Sequence, residues 1–359
     1  YNDDAGRIEK VSARATQWLD DHLAGERRET PFLLMVHTYD VHAPYEDTPA
    51  RFRQLFLDEV EPRPPNFFRQ RPTSKILRAY AGKAELTPEE LEYSIALYDG
   101  GIRHVDEWFR GFRRYLERRG LWRQSVVVVL SDHGEEFKEH GKLFHEQLFS
   151  PVTRIPWILK LPEGVADGLA GHVESTTVES LDMMPTLLDL AEVPTPAGVE
   201  GESLMPLLEG ENRRSVAVSE CKGSCEQLAL AEGEWRLIQD RRSGRQHLFR
   251  YREDPLEADD QSGPHGERAA AMAKTLEGWE KRVARRASQP VDYTDETLEQ
   301  LSALGYVDTV RALRSPEEPK PREEIFADDF ETGGLAAWEG EESPAAGAEA
   351  EKPRGRRAP

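Results

Sequence analysis

Cysteine is nearly absent from this chain: Cys221 and Cys225 are the only two among 359 residues. A structural zinc site takes four ligands, and there is no second cysteine pair that would complete one. The two thiols lie in a polar segment, CKGSC. They are either free or joined in the short-loop disulfide of an exported chain, and we expect an incidental or structural role.

Two further shortages exclude other classes of protein. No apolar run approaches the roughly 18 to 20 residues that a membrane-spanning helix needs. Basic residues are outnumbered, with 47 Lys and Arg against 67 Asp and Glu and a net charge of −20. This charge argues against nucleic acid or an anionic membrane surface as the main partner. The chain begins at Tyr1 with neither a starter methionine nor a signal peptide, so we interpret it as cut on its N-terminal side.

Short apolar runs at Phe32–His37, Val126–Leu130 and Ile155–Pro162 predict strands. Val126–Leu130 is a continuous β-branched run without polar alternation, which predicts a central strand covered on both faces. Arg51–Arg78 lacks a clear period, and we interpret it as an irregular excursion. Helical patterns alternate with these runs, which indicates an α/β fold with a layered sheet.

The clearest predicted helix follows Thr87. Thr87 and Glu90 have the spacing of a capping box, and Gly120 ends the pattern. Gly100 and Gly101 lower the helix propensity by roughly 1 kcal/mol each, so we expect close packing or a kink there. Between the two ends, apolar residues recur at spacings of 4 and 3 and form the predicted core stripe: Leu91, Ile95, Tyr98, Ile102, Val105, Phe109, Phe112 and Leu116.

The composition changes after Pro194. Short strand-like pieces, VAVSE, LALAEGEWRLIQD and RQHLFRY, precede a helical pattern at about Gly266–Arg286, which predicts a small antiparallel sheet with a helix packed on it. We therefore divide the chain into a main α/β part (1–194), an α+β subdomain (195–308) and an acidic tail rich in Pro, Ala and Glu (309–359). The tail is expected to be mostly disordered.

The segment that carries chemistry follows the strand at Val126–Leu130. Asp132 and His133 come at its C-terminal end, where ligands bind in open α/β sheets, and Gly134 lets the backbone turn close to them. A carboxylate beside an imidazole suits half of a metal site. The alternative is an ordinary turn in which Asp132 caps a following helix. The fourteen residues from Asp132 to His145 contain three histidines, four carboxylates and two lysines, a density that favours a functional site.

Six blocks in order now resemble the sulfatase branch of the alkaline-phosphatase-like superfamily, and they cover Arg7 to Tyr306. The resemblance implies a three-layer α/β/α sandwich of alkaline-phosphatase-like type, incomplete at its N-terminal side, to which the C-terminal sheet and helix are added. The blocks are PFLLMVHTYDVHAPY, ALYDGGIRHVDEWF, VVVVLSDHGEEFKEHG, TRIPWILKLP, LDMMPTLLDLAEVP with GESLMPLL, and LFRYREDPLEADD.

The resemblance implies roles for individual residues. In sulfatases the aspartate and histidine of the SDHG block bind a divalent cation, usually Ca²⁺ with Mg²⁺ or Mn²⁺ as alternatives; here these are Asp132 and His133. The histidine of the HxP block contacts the sulfate ester and handles protons, which implies a catalytic role for His42. His37, at the end of the preceding strand, is assigned a supporting role in substrate binding.

A further residue beyond the EHG block binds the sulfate or protonates the leaving oxygen in this family. The position implied here is His145, with Lys142 as the nearby alternative. A cation together with protonated imidazole or ammonium groups suits a reaction that builds negative charge on oxygen.

The chain departs from the family pattern in one respect. The family's nucleophile is a Cys or Ser in C/S-x-P-x-R, converted to formylglycine, and this sequence contains no such motif. Neither Cys221 nor Cys225 is followed by the required Pro and Arg. We therefore expect a metal-dependent hydrolase of aryl or glycan sulfate esters that is inactive as this polypeptide alone, with the missing N-terminal half as a partner.

Two other functions stay open. One is a phosphodiesterase, phosphonate hydrolase or phosphotransferase of the same superfamily, since its metal blocks look similar. The other is a remnant that performs no chemistry. Near the C-terminus, FADDFETGGLAAW is similar to the start of β-sandwich modules in secreted bacterial proteins, which implies a periplasmic or extracellular location.

Overall fold

Among the described residues, helices occupy most of the part up to Arg118, and a four-stranded sheet lies within residues 216–249. A computed structural model describes residues 7–25, 28–58, 60, 72–165, 168–213, 216–222 and 225–285. The helices are α1 (Ile8–Ala24), α2 (Ala50–Leu57), α3 (Pro72–Tyr80), α4 (Pro88–Arg118), α5 (Ser150–Thr153), α6 (Met183–Leu190), α7 (Met205–Leu208) and α8 (Gly266–Arg285). The strands are β1 (Val127–Leu130), β2 (Glu136–Phe137), β3 (Leu143–Phe144), β4 (Trp157–Lys160), β5 (Val216–Cys221), β6 (Gln227–Glu232), β7 (Trp235–Asp240) and β8 (Gln246–Phe249).

The predicted strand before the Asp-His pair is confirmed as β1. It pairs antiparallel with β4, from Val127 opposite Lys160 to Leu130 opposite Trp157. The prediction that this strand is covered on both faces is wrong within the described residues, because all four β1 side chains are only half-buried. The strand predicted at Ile155–Pro162 is confirmed as β4, in which Ile158 is 59% exposed. Only these two strands pair in this sheet among the described residues.

The strand predicted at Phe32–His37 is not formed within the described residues. The segment carries no strand assignment, although Leu34 packs against the buried cluster of Leu19 and Leu116. On the other side Leu33 and Met35 are 81% and 79% exposed. The β-branched and apolar composition suits a strand, but no described strand supplies the hydrogen-bonding partner that a ladder requires.

The irregular excursion predicted at Arg51–Arg78 is wrong in part, because α2 and α3 overlap its two ends. Leu57 of α2 and Ile76 of α3 are buried in one core cluster with Leu97 of α4. Tertiary burial of these few apolar side chains stabilises two short helices that have little periodicity of their own. Residues 59 and 61–71 lie outside the described part.

The long helix α4 is confirmed with its capping box. The Thr87 hydroxyl accepts from the Glu90 amide at 3.3 Å, and the Thr87 amide donates to the Glu90 carboxylate at 2.9 Å. At Gly100 a Cβ atom would lie 3.0 Å from Arg53 Cα and 3.2 Å from the Phe52 carbonyl oxygen of α2. The helix continues through Gly100, so the glycine allows close packing and not a kink.

The buried face of α4 differs from the predicted apolar stripe. Ile102 is exposed, whereas Leu97, Gly100 and His104 are buried. Because glycine lets the α2 backbone approach, α4 turns its glycine-bearing side towards α2, and part of the predicted stripe faces outward.

Alanine at Gly100 is expected to lower the free energy of unfolding by roughly 1 to 3 kcal/mol, because its methyl group meets the α2 backbone. Gly111→Ala is the matched control, since Gly111 lies in the same helix and no described atom lies within 4 Å of the place that its Cβ would take. That control should raise stability by up to about 1 kcal/mol through helix propensity. Chemical denaturation of the full chain measures both, and equal effects would contradict the close packing.

The predicted small antiparallel sheet with a packed helix is confirmed. Strands β5, β6, β7 and β8 pair in sequence order. Leu230 and Leu237 of the sheet are buried against Met272 and Leu276 of α8. Described residues after 194 belong with the earlier ones to one compact unit, Tyr1–Val291. The boundaries predicted after 194 and 308 stay predictions, and the tail lies outside the described residues.

Buried polar contacts join the C-terminal sheet to the segment that follows β3. The Arg236 guanidinium donates to the Leu148 carbonyl oxygen at 2.7 Å and lies 3.3 Å from the Glu257 carboxylate. That carboxylate accepts from the Ser150 amide at 2.7 Å. Since both charged groups are buried, removing either would leave the other uncompensated. The sheet thus holds the chain just after His145.

Two further observations concern the sequence expectations. Cys221 and Cys225 form a disulfide bond, so of the two predicted alternatives, free thiols or a disulfide, the structure has the disulfide. Of the helices in the described residues, none is long and apolar enough to cross a membrane.

Candidate active site

Three histidines from separate segments of the chain meet in one place. The ring centroids of His133 and His145 are 4.2 Å apart. Those of His42 and His145 are 5.6 Å apart, and those of His42 and His133 are 6.4 Å apart. We call His42, His133 and His145 the histidine cluster. The structure thereby brings together three of the residues that the sequence marked as site candidates.

Two tight backbone features place His133 and His145 side by side. The Gly134 amide donates to the Val152 carbonyl oxygen at 2.6 Å, and a Cβ on Gly134 would lie 2.1 Å from the Pro151 carbonyl oxygen. Only glycine fits this approach. Strands β2 and β3 then form a short hairpin, which returns the chain so that His145 follows directly after β3.

His42 has a defined hydrogen-bonding state. Its Nδ1 lies 2.9 Å from the Ala43 carbonyl oxygen, which only accepts, so Nδ1 carries the proton in the neutral ring. Burial lowers the pKa of His42 below its ordinary value, although the bond to Ala43 and the charge of Glu135 act in the opposite direction. His42 is therefore suited to act as a neutral imidazole near pH 7.

Asp132 and His133 present two donor atoms to the same space. Asp132 Oδ2 lies 3.7 Å from His133 Nε2, and the Asp132 side chain is 80% exposed. His133 Nδ1 lies 2.8 Å from the Gly134 carbonyl oxygen, which leaves the Nε2 lone pair for a ligand. The alternative of a helix cap at Asp132 is wrong, because β2 is the next element.

The remaining predicted site residues lie at the surface. His37 is exposed, and its ring contacts Tyr39 edge-on with the centroids 5.0 Å apart. Lys142 is exposed on the turn between β2 and β3, where its carbonyl oxygen accepts from the Lys138 amide at 2.7 Å. Of the two alternatives beyond the EHG block, His145 is the one in the histidine cluster. The roles of these residues stay predictions.

Glu135 and Tyr45 beside the cluster were missed by the sequence analysis. Glu135 is buried, with Oε1 3.7 Å from His145 Nδ1. Its other oxygen accepts from the Tyr45 hydroxyl at 3.0 Å. In the sequence Glu135 belongs to a polar run that is typical of a solvated surface. The only available signal was that Glu135 and Glu136 are adjacent where a short strand begins, because neighbouring side chains face different sides of a strand.

The third histidine of the motif, His140, lies outside the cluster. Its ring stacks on Phe149 with centroids 3.6 Å apart. Nδ1 lies 3.3 Å from the Glu136 carboxylate, and Nε2 donates to the Leu256 carbonyl oxygen at 2.8 Å. His140 therefore tethers the site segment to the chain that follows β8.

This tether is expected to make stability depend on pH. Burial lowers the pKa of His140, but the carboxylates of Glu136 and Glu257 and the Leu256 carbonyl oxygen outweigh it and raise the pKa above the ordinary 6.5. The stabilising contribution of His140 to the free energy of unfolding is therefore fully present below the unfolded-state pKa, and it is lost as pH rises through the raised folded-state pKa. The unfolding free energy of wild type minus that of His140→Gln should fall with rising pH across this window. A difference for His140→Gln that does not change with pH would contradict the tether.

Comparison with protein families identifies the family to which a chain with this arrangement of histidines belongs. The sulfatase family model matches residues 6–193, which include the whole histidine cluster and Asp132. The chain belongs to the sulfatase family. The arylsulfatase of Clostridium perfringens is 28% identical to this sulfatase chain over 197 residues, which cover 54% of this chain and 40% of that protein. The multifunctional alkaline phosphatase superfamily protein PehA of Trinickia caryophylli is 31% identical over 193 residues, covering 52% and 37%.

The fold comparison agrees with this membership. The crystal structure of the phosphonate monoester hydrolase of Agrobacterium radiobacter matches with a TM-score of 0.59 at 18% identity, over 76% of this chain and 60% of that chain. The predicted alkaline-phosphatase-like α/β fold is thereby confirmed. The sulfatase chain spans less than half the length of the two curated relatives above.

The sulfatase family generally uses a divalent cation, and Asp132 with His133 fits part of such a site. Donors 3.7 Å apart can both reach one Ca²⁺ ion, which binds oxygen ligands at about 2.3 to 2.6 Å. Ca²⁺ takes roughly six to eight ligands, so two donors make only part of a shell. Among the described residues no group of three or more His, Cys, Asp or Glu side chains is arranged to hold a metal ion.

Proposed function

We propose that this chain supplies the C-terminal part of an active centre that hydrolyses sulfate esters, with aryl or glycan sulfates as substrates. The observation that carries the proposal is the histidine cluster beside Asp132. Hydrolysis of a sulfate ester builds negative charge on the leaving oxygen and on the nonbridging oxygens. Imidazoles and a cation converging on one point suit that charge.

In this proposal each residue of the site has its own part. His145 protonates the leaving oxygen, and His42 contacts the sulfate ester and handles protons through Nε2, the ring nitrogen that is not bonded to Ala43. Asp132 and His133 hold a divalent cation, most simply Ca²⁺, and the cation when bound stabilises charge on the sulfate oxygens. His37 and Lys142, both exposed, would contact the outer part of a substrate.

We further propose that a second sulfatase segment completes the centre and supplies the formylglycine nucleophile. The short coverage of the curated relatives supports this, because more than half of each relative lies outside the match. The exposed apolar side chains Leu33, Met35 and Ile158 also support it, since apolar surface of this kind is commonly covered in a complete protein. The chain alone is then expected to be inactive.

A second candidate is hydrolysis of phosphonate monoesters or phosphodiesters. The fold likeness to a phosphonate monoester hydrolase and the 31% identity to PehA favour it. The third candidate is a remnant that carries out no reaction.

One assay separates the three candidates. The chain is prepared alone and as the complete polypeptide that includes a nucleophile-bearing segment, and each is tested with nitrophenyl sulfate, a phenyl phosphonate monoester and a nitrophenyl phosphodiester. The proposal expects turnover only by the complete polypeptide and a higher kcat/KM for the sulfate. A higher kcat/KM for the phosphorus esters would establish the second candidate, and no turnover in either form would establish the remnant.

We also propose a periplasmic or extracellular location. The disulfide between Cys221 and Cys225 supports it, because structural disulfides persist in oxidising compartments. Fractionation of the native cells with thiol labelling tests the proposal: a reduced, cytoplasmic protein would contradict it.

A further inference from the structure

Glu135 is a buried carboxylate at the edge of the histidine cluster. It is 8% exposed, and no described hydrogen-bond donor satisfies its Oε1 atom. This atom lies 3.7 Å from His145 Nδ1. A buried carboxylate oxygen without a hydrogen-bond donor destabilises the folded state. A donor to Oε1 would therefore be stabilising.

The other oxygen of Glu135 is held firmly. Its Oε2 accepts from the Tyr45 hydroxyl at 3.0 Å. Tyr45 is itself buried and contacts the rings of Tyr98 and Phe137 at centroid distances of 5.8 and 5.7 Å. The Tyr45 ring therefore fixes the carboxylate from behind and leaves Oε1 directed towards His145.

We propose that Glu135 is a positioning residue for His145. Its Oε1 accepts the Nδ1–H of His145, and this bond directs Nε2 of the same ring, whose proton goes to the leaving oxygen, towards the sulfate ester. The inference rests on the proposed function for the identity of the ester, but not for the bond itself. The observed 3.7 Å is roughly 0.8 Å beyond a good N–H···O bond, and bonds of this kind tighten when substrate binds.

The adjacent residue provides a comparison within the same molecule. Glu136 is also buried but faces the other side, where it lies 3.3 Å from His140 Nδ1. Two neighbouring glutamates thus serve two different histidines. Glu135→Gln and Glu136→Gln each replace a carboxylate with an amide of the same shape. The first should affect only His145 and the second only His140.

The hydroxyl group of Tyr45, a hydrogen-bond donor to residue 135, determines the change that we expect at His145. In Glu135→Gln the Tyr45 hydroxyl donates to the single amide oxygen, so the NH₂ group faces His145 and donates to Nδ1. When the His145 ring is neutral, its single proton must then lie on Nε2, whereas the neutral wild-type ring carries it on Nδ1.

Nitrogen NMR of the full chain with isotope-labelled histidine tests this at one fixed pH. Glu135→Gln should exchange the protonated and unprotonated ring-nitrogen signals of His145 and leave those of His140 unchanged. Glu136→Gln should shift the His140 Nδ1 signal, while His140 Nε2 keeps its proton through the bond to the Leu256 carbonyl oxygen, and should leave the His145 signals unchanged. Should Glu135→Gln fail to fold, Tyr45→Phe keeps the ring shape and should still shift the His145 Nδ1 signal. Unchanged His145 signals in the folded variant, or equal changes in Glu136→Gln, would overturn the proposal.

A kinetic measurement separates this proposal from the proposed function. In the complete sulfatase, Glu135→Gln should lower kcat roughly 10- to 100-fold, the usual effect of removing a residue that orients a site histidine, with a much smaller change in KM. An unchanged kcat would overturn the positioning role. If the complete polypeptide hydrolyses no sulfate ester, the proposed function fails, while the NMR signals still decide whether Glu135 orients His145.

Discussion

Replacing Gly134 with alanine is expected to lower the free energy of unfolding of the full chain by about 3 kcal/mol, the upper end of overpacking effects. The added Cβ would lie 2.1 Å from the Pro151 carbonyl oxygen, so either this turn or the 151–152 backbone must move. Such a movement also breaks the bond from the Gly134 amide to Val152. Because His133 bonds to the Gly134 carbonyl oxygen, the histidine cluster would be displaced as well.

The control for this change is Gly263→Ala, whose added Cβ meets no described atom within 4 Å. Thermal and chemical unfolding of both variants should show a large loss for Gly134→Ala and almost none for Gly263→Ala. If both variants unfold at the wild-type midpoint, the close approach of Gly134 to Pro151 is wrong.

Removal of the His145 imidazole is expected to have the largest effect on activity. In the complete sulfatase, His145→Ala should lower kcat by roughly 10²- to 10⁴-fold, the range for loss of a general acid. The loss should be greater for alkyl or glycan sulfates than for nitrophenyl sulfate, because a poor leaving oxygen depends more on protonation.

His172→Ala is the matched control, since His172 is an exposed histidine that pairs with Glu174 at 3.5 Å. Steady-state kinetics with sulfate esters of graded leaving-group acidity measures both variants. An equal loss for good and poor leaving groups would assign His145 to sulfate binding, and no loss would remove it from the site.

The local elements and the site motif could be predicted from the sequence because short-range patterns determine them. The capping residues Thr87 and Glu90 of α4 are an example, as is the strand that ends just before Asp132. His133 and His145 were also found, since the density of histidines in the polar segment after this strand is unusual. The family resemblance then connected His42 to residues about ninety positions later.

Tertiary contacts explain what the sequence could not reveal. Burial of Glu135 depends on Tyr45, a partner 90 residues away, and nothing in a run of charged residues signals it. The inward face of α4 is set by the approach of α2 at Gly100, and not by apolar periodicity. In the same way Leu33 and Met35 have strand character, but a strand forms only where another strand pairs with it.

We propose that the histidine cluster and Asp132 form part of a sulfatase centre. A crystal structure of the complete polypeptide with Ca²⁺ and sulfate, in which anomalous scattering locates the metal, tests this arrangement. We expect the cation within bonding distance of Asp132 and His133 and the sulfate between the rings of His42 and His145. A cation and a sulfate bound elsewhere, with these four side chains untouched, would contradict it.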